Sequence, residues 1–142
     1  MKKTIQIAKS EQETQKIGEN LGKNLKGGDI VALYGDLGSG KTVFTKGIAK
    51  ALGIKKRILS PTFVFMRSYP LATGKQLVHI DLYRGKDLKD FEALGLEELF
   101  TKENIVVLEW ADRLGKILPQ KRIDVELIKE DEQKRRIEIT RN

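Results

Sequence analysis

The chain predicts an α/β fold in which a mixed, partly parallel central sheet is flanked by helices. Three observations carry that prediction. The run DIVALY (29–34) is almost continuously apolar, as in a strand buried on both faces. A glycine-rich loop and a helical pattern follow it directly, making a strand–loop–helix unit. A second apolar run, NIVVLEW (104–110), repeats the buried-strand signature far along the chain. No internal repeat, low-complexity tract or Pro/Ser-rich linker interrupts residues 1–142, so a single domain is expected.

The elements follow in order. TIQIA (4–8) alternates as a short strand does. Ser10 opens a capping-box pattern with Glu13 three residues on, and Ile17, Leu21 and Leu25 recur at helical spacing. These predict a helix of about four turns, ended by Gly27 and Gly28. After the glycine-rich loop a helix is expected from Lys41 to Leu52, stopped by Gly53. FVFMRSY and QLVHIDLY flank LATGK and predict a returning pair of strands. Leu88, Phe91, Leu94 and Leu99 are spaced for a helix over 87–100. RIDVELIK and KRRIEIT, joined by EDEQ, predict a closing β-hairpin.

Composition excludes several kinds of chemistry. There is no cysteine, hence no disulfide, thiolate metal site or thiol nucleophile, and the single histidine, His79, excludes a multi-histidine zinc centre. No run approaches the length of a membrane helix, and the polar N-terminus lacks the apolar core of a secretory signal. A cytoplasmic enzyme or switch is expected. The formal charge of +7 arises within residues 1–60, which carry 12 basic and 5 acidic side chains. That excess describes either a lysine-rich solvated surface or a basic face for an anionic partner.

GDLGSGKT (35–42) satisfies G-x-x-x-x-G-K-[ST] between a strand and a helix, the context that gives a P-loop its meaning. Gly35, Gly38 and Gly40 let the backbone of Asp36, Leu37 and Ser39 curve into a ring of N–H donors. The helix that starts with Lys41, Thr42 and Val43 turns its positive end toward the same anion. Lys41 is expected to bridge the outer phosphates and the Thr42 hydroxyl to ligate Mg²⁺. A carboxylate at the end of a neighbouring strand should complete the metal's surroundings, and two compete: Asp81 ends LVHID and Glu109 ends IVVLE. Spacing does not choose between them.

Other residues have two readings. Thr62, in SPTF with Ser60, suits either a threonine that senses the terminal phosphate or a plain turn. His79 is read as packing or capping, or as catalytic, and Trp110 as core or as facing the site. The guanine-reading sequence N-K-x-D is absent, so ATP is expected. Three uses of ATP remain: a small-molecule kinase, with Arg84, Arg113 or Lys134, Arg135 and Arg136 shielding the transfer; a hydrolase; or a binding switch without turnover.

GDLGSGKT, SPTF, HIDLYR (79–84) and LEWAD (108–112), in this order in so short a chain, resemble the TsaE (YjeE) family over nearly the whole length. The resemblance implies a P-loop ATPase needed for threonylcarbamoyl modification of the tRNA adenosine beside the anticodon. It implies TsaD and TsaB as partners, with tRNA met through them. It assigns the second metal-side carboxylate to Glu109 and a supporting role in hydrolysis to Asp81. Thr62 matches the switch-like threonine, and Trp110, with His79 and Arg84 of HIDLYR, is tied to activity or partner contact. SEQET (10–14) is similar to the segment that lies near the adenine, which places Glu11 there. No arginine finger is evident, so hydrolysis by the chain alone should be slow.

Overall fold

β-Branched and leucine-rich runs separated by glycine turns build one seven-stranded sheet in the order β1-β7-β6-β2-β5-β4-β3. The computed structural model describes residues 2–58, 66–82 and 95–142. The strands are β1 (Lys2–Ala8), β2 (Ile30–Tyr34), β3 (Met66–Pro70), β4 (Gln76–Asp81), β5 (Asn104–Glu109), β6 (Ile123–Lys129) and β7 (Arg135–Arg141). The four central strands β6, β2, β5 and β4 are parallel, and antiparallel strands close both sides. The predicted mixed, partly parallel α/β sheet is therefore the fold.

Among the described residues two α-helices, α1 (Glu11–Gly22) and α2 (Lys41–Ala51), cover one face. Ile17, Leu21, Phe44 and Ile48 pack there on Val31, Leu33, Leu77 and Val107. The alternate residues Ile30, Ala32, Ile80, Val106 and Leu108 point to the other face. There they meet two short 3-10 helices, Leu96–Leu99 and Ala111–Ile117. Residues two apart on a strand thus report on the same layer.

Ser10 caps α1 by accepting the Glu13 N–H at 3.1 Å. The return arm of the box falls one residue early, since the Glu13 carboxylate takes the Lys9 N–H at 3.2 Å. The helix itself ends at Gly22, short of the predicted four turns. Tight i→i−3 bonds from Asn24 and Leu25 carry the chain on, so Leu25 is still buried at its helical spacing. Gly27 and Gly28 serve a different purpose from helix termination. A Cβ at Gly27 would overlap the Lys102 carbonyl, and the Gly28 N–H donates to Asn104 at 2.8 Å.

The C-terminal hairpin forms as expected but is not an outer closure. It lies inside the sheet, with β6 parallel to β2 and β7 antiparallel to β1, and β1 forms the edge. Leu88, Phe91 and Leu94 of the predicted helix over 87–100 lie outside the described residues, and Leu99 ends the 3-10 turn Leu96–Leu99.

Candidate functional site

The parallel strands β2, β4 and β5 deliver their C-terminal ends to one edge of the sheet, where ligands of such folds gather. From β2 the chain passes Gly35 (φ 149°), Gly38 (φ 79°) and Gly40 (φ 103°) before entering α2. At Gly35 a side chain has no room: a Cβ would come within 2.5 Å of Ser39 Oγ and 2.7 Å of the Leu127 oxygen. Gly40 is the N-cap of α2 and brings no side-chain acceptor, so the first-turn N–H groups stay open to an incoming anion. Leu37 projects from the loop and is 68% exposed, whereas Ser39 is buried with its hydroxyl unpaired.

Lys41, the first residue of α2, is 6% exposed. Its Nζ donates to the carbonyls of Gly35 and Asp36, the latter at 3.0 Å, and lies 4.3 Å from the centre of the Trp110 ring. Burial pushes the Lys41 amine below the ordinary lysine range, against the opposing pull of Glu109, Asp81, Asp36 and Asp112. Trp110 reaches the lysine because the chain turns sharply after β5, in a left-handed conformation (φ 59°) rare for so large a residue.

Asp81 and Glu109 are register partners on β4 and β5, so they stand side by side on the face that carries α2. Their surroundings differ. Asp81 is half-buried, whereas Glu109 is 3% exposed and bonded through Oε2 to His79 Nε2. His79 is fully buried two residues before Asp81 on the same face, with Nδ1 unpaired. It therefore packs, as one reading of the sequence has it, and also orients a carboxylate. Among the described residues no three His, Asp or Glu side chains form a metal cage. The Thr42 hydroxyl and these two carboxylates are hard oxygen donors, few in number, which suits an Mg²⁺ that keeps most of its water.

Thr42 and Val43 lie half-buried in the first turn of α2. Glu11 is exposed at the start of α1, one turn before Thr14, whose Cγ2 would lie 3.6 Å from a Cβ at Gly40. The first turn of α1 therefore borders the loop. Thr62 and Arg84, with Ser60, lie outside the described residues. Two roles escaped the sequence reading. Asp112 joins the charges around Lys41, and Arg135, which the sequence offers as a shielding arginine, grips the loop backbone at Gly38 and Ser39. LEWAD contains the first, but no local pattern marks the second, since its partners lie 96 and 97 residues away.

Comparisons with known proteins show what the chain as a whole is similar to. The family model described as threonylcarbamoyl adenosine biosynthesis protein TsaE matches residues 8–137. A relative named tRNA threonylcarbamoyladenosine biosynthesis protein TsaE, from Bacillus subtilis, is 38% identical over 129 residues, covering 91% of this chain and 80% of its own. A protein of the same name from Aquifex aeolicus is 40% identical over 139 residues, covering 95% and 94%. The crystal structure of Bacillus subtilis YdiB superposes with a TM-score of 0.82 at 33% identity, over 99% of this chain and 86% of that one. The chain belongs to the TsaE family.

Proposed function

We propose that the chain binds ATP with Mg²⁺ at the loop 35–42 and hydrolyses it in support of tRNA threonylcarbamoyladenosine formation. The transfer itself is then made by TsaD, working with TsaB, and the tRNA is met through those partners in the cytoplasm. One observation carries this reading: the uncapped start of α2 holds a buried lysine at the edge where Asp81 and Glu109 end neighbouring parallel strands. That is the arrangement phosphoryl chemistry uses, because it depends on positioning and charge more than on covalent catalysis.

In this reading the open N–H groups of the loop and α2 receive phosphate oxygens, and the Lys41 amine leaves the Gly35 and Asp36 carbonyls for the outer phosphates. Trp110, whose ring lies 4.3 Å from the Lys41 amine, flanks it and excludes water from that side. Thr42 and Glu109 would hold Mg²⁺, which when bound neutralises charge on the β- and γ-phosphates, with Asp81 accepting a hydrogen bond from a water beside them. Positive charge supplied by a partner raises such rates by about 10³ to 10⁵-fold. Turnover by the chain alone is therefore slow.

The test counts ADP and free phosphate together, for the purified protein alone and then with TsaD, TsaB and tRNA. Matched ADP and phosphate that rise sharply with the partners are expected. ADP without free phosphate, formed only when a small metabolite is added, would make the protein a kinase. ATP that binds and changes partner affinity without turnover would make it a switch.

A further inference from the structure

A glycine-rich loop has backbone freedom to lose and few side chains with which to lose it. Something outside the loop has to hold it. Lys41 does so through the Gly35 and Asp36 carbonyls, but on the phosphate-binding reading this grip is given up when ATP arrives. Arg135, the first residue of β7, supplies a second grip. Its Nε donates to the Ser39 carbonyl at 3.0 Å and its Nη2 to the Gly38 carbonyl at 3.1 Å. Its Nη1 is turned back onto the β6–β7 turn, donating to Asp131 at 2.8 Å and Lys134 at 3.1 Å. That turn is itself fixed, because the Asp131 carboxylate accepts the N–H groups of Gln133 (2.9 Å) and Lys134 (2.7 Å).

A trans peptide is rigid and directs its C=O and N–H in opposite senses. Holding the Ser39 carbonyl toward Arg135 therefore aims the Gly40 N–H away from it. We propose that Arg135 is a positioning residue: its planar fork sets the Gly38–Gly40 backbone in the conformation that receives phosphate, without touching the nucleotide. The inference rests on the phosphate-binding reading of the loop for its purpose, but not for its geometry. A guanidinium suits the task because three of its nitrogens reach two backbone segments in one plane; an ammonium carries the same charge without the fork.

The experiment compares wild type, Arg135→Ala and Arg135→Lys by amide hydrogen exchange without nucleotide, and by ADP titration. In both variants the Ser39 amide, bonded to Asp36 at 3.0 Å, and the Phe44 amide, bonded to Gly40 at 2.9 Å, should exchange about 10-fold faster. Amides of β2 and β5 should be unchanged. ADP affinity should fall about 10-fold in both variants, with lysine giving no rescue. Unchanged exchange at Ser39 and Phe44 overturns the proposal, as does an Arg135→Lys variant that binds ADP like wild type while Arg135→Ala does not, since charge would then be acting on the phosphate. If wild type binds no ADP, the functional reading fails, and the exchange rates still decide whether Arg135 orders the loop.

Discussion

Gly47→Ala places one methyl group where α1 and α2 approach most closely. The helices meet backbone to backbone: Gly18 and Gly22 of α1 face Phe44, Ile48 and Ala51 of α2, and Gly47 faces Gln15 and Glu19 in return. A Cβ at Gly47 would lie well inside 3.0 Å of the Gln15 carbonyl oxygen and 2.8 Å from the Glu19 nitrogen. Heavy atoms rest at roughly 3.5 Å or more, so the Glu19 contact alone requires the helices to part by about 0.7 Å, and the Gln15 contact requires more. Neither obstacle is a side chain that can swing aside. Overpacking of this kind costs about 1–3 kcal/mol and occasionally more, and rigid backbone on both sides sets the cost at or beyond the upper end. Alanine returns about 1 kcal/mol of helix propensity. A net loss of about 2–3 kcal/mol is expected, a large share of the roughly 5–15 kcal/mol that holds a domain folded. Urea unfolding followed by circular dichroism measures it, with Gly53→Ala as control: that site is open but has φ 81°, so about 1 kcal/mol is expected. ATP affinity should fall with Gly47→Ala too, because Lys41 lies less than two turns away on the displaced helix. A Gly47→Ala protein as stable as wild type, or more so, would mean that propensity governs this position and that the close approach is not built in.

Three further outcomes are expected. Because burial lowers the Lys41 pKa from its ordinary 10.5, the charged amine costs the nucleotide-free fold stability at neutral pH, and that cost fades as pH climbs through the depressed value toward 10.5. Phosphate needs the charged form, so ATP affinity should fall over the same rise, while Lys41→Arg stays flat; ATP titrations from about pH 7 to 10 decide it. His79→Ala removes the hydrogen-bond partner of a buried carboxylate and should cost about 1–3 kcal/mol in unfolding experiments. It should also raise the Mg²⁺ needed for ATP turnover about 10- to 100-fold, and Glu109→Ala should disturb that requirement more than Asp81→Ala does. Tyr34 donates to Asp124 at 3.0 Å, and burial with that bond lifts its pKa from 10.0 to about 12. Its folded pKa is raised, so its contribution is complete below pH 10 and is lost as pH rises toward 12. Tyr34→Phe should cost about 1 kcal/mol at neutral pH and remove that alkaline loss, as thermal melts across the range will show.

What the sequence made legible is what depends on neighbours in the chain. The strand–loop–helix unit 30–51, the buried run at Asn104–Glu109 and the two hairpins are each set by local pattern, and all are present. The end of α1 was misread because Gly27 and Gly28 resemble a helix stop, whereas their glycines admit the backbone near Lys102. Gly18 and Gly47 carried the opposite ambiguity: inside a helix each counts against helix formation, and only the packed pair shows why each is glycine. Arg135 could be named as one of several candidate arginines, but its hold on the loop could not be read, because its partner there lies nearly a hundred residues away.

The two carboxylates show the limit most clearly. By spacing, Asp81 and Glu109 are equivalent strand-end acids, and the register confirms it by placing them directly opposite each other. They are separated by what lies one pleat back. His79 stands opposite Val107, so Glu109 is its diagonal neighbour on the same face, at the distance that only long side chains span. A slip of one residue between β4 and β5 would turn Glu109 to the opposite face and break the pair, so the buried contact also fixes the register. An aspartate at this position would be one methylene too short to cross the diagonal. Glutamate at the end of β5 thus has a reason in the sheet itself: one oxygen is committed to His79, and the other remains for whatever Lys41 brings to the loop.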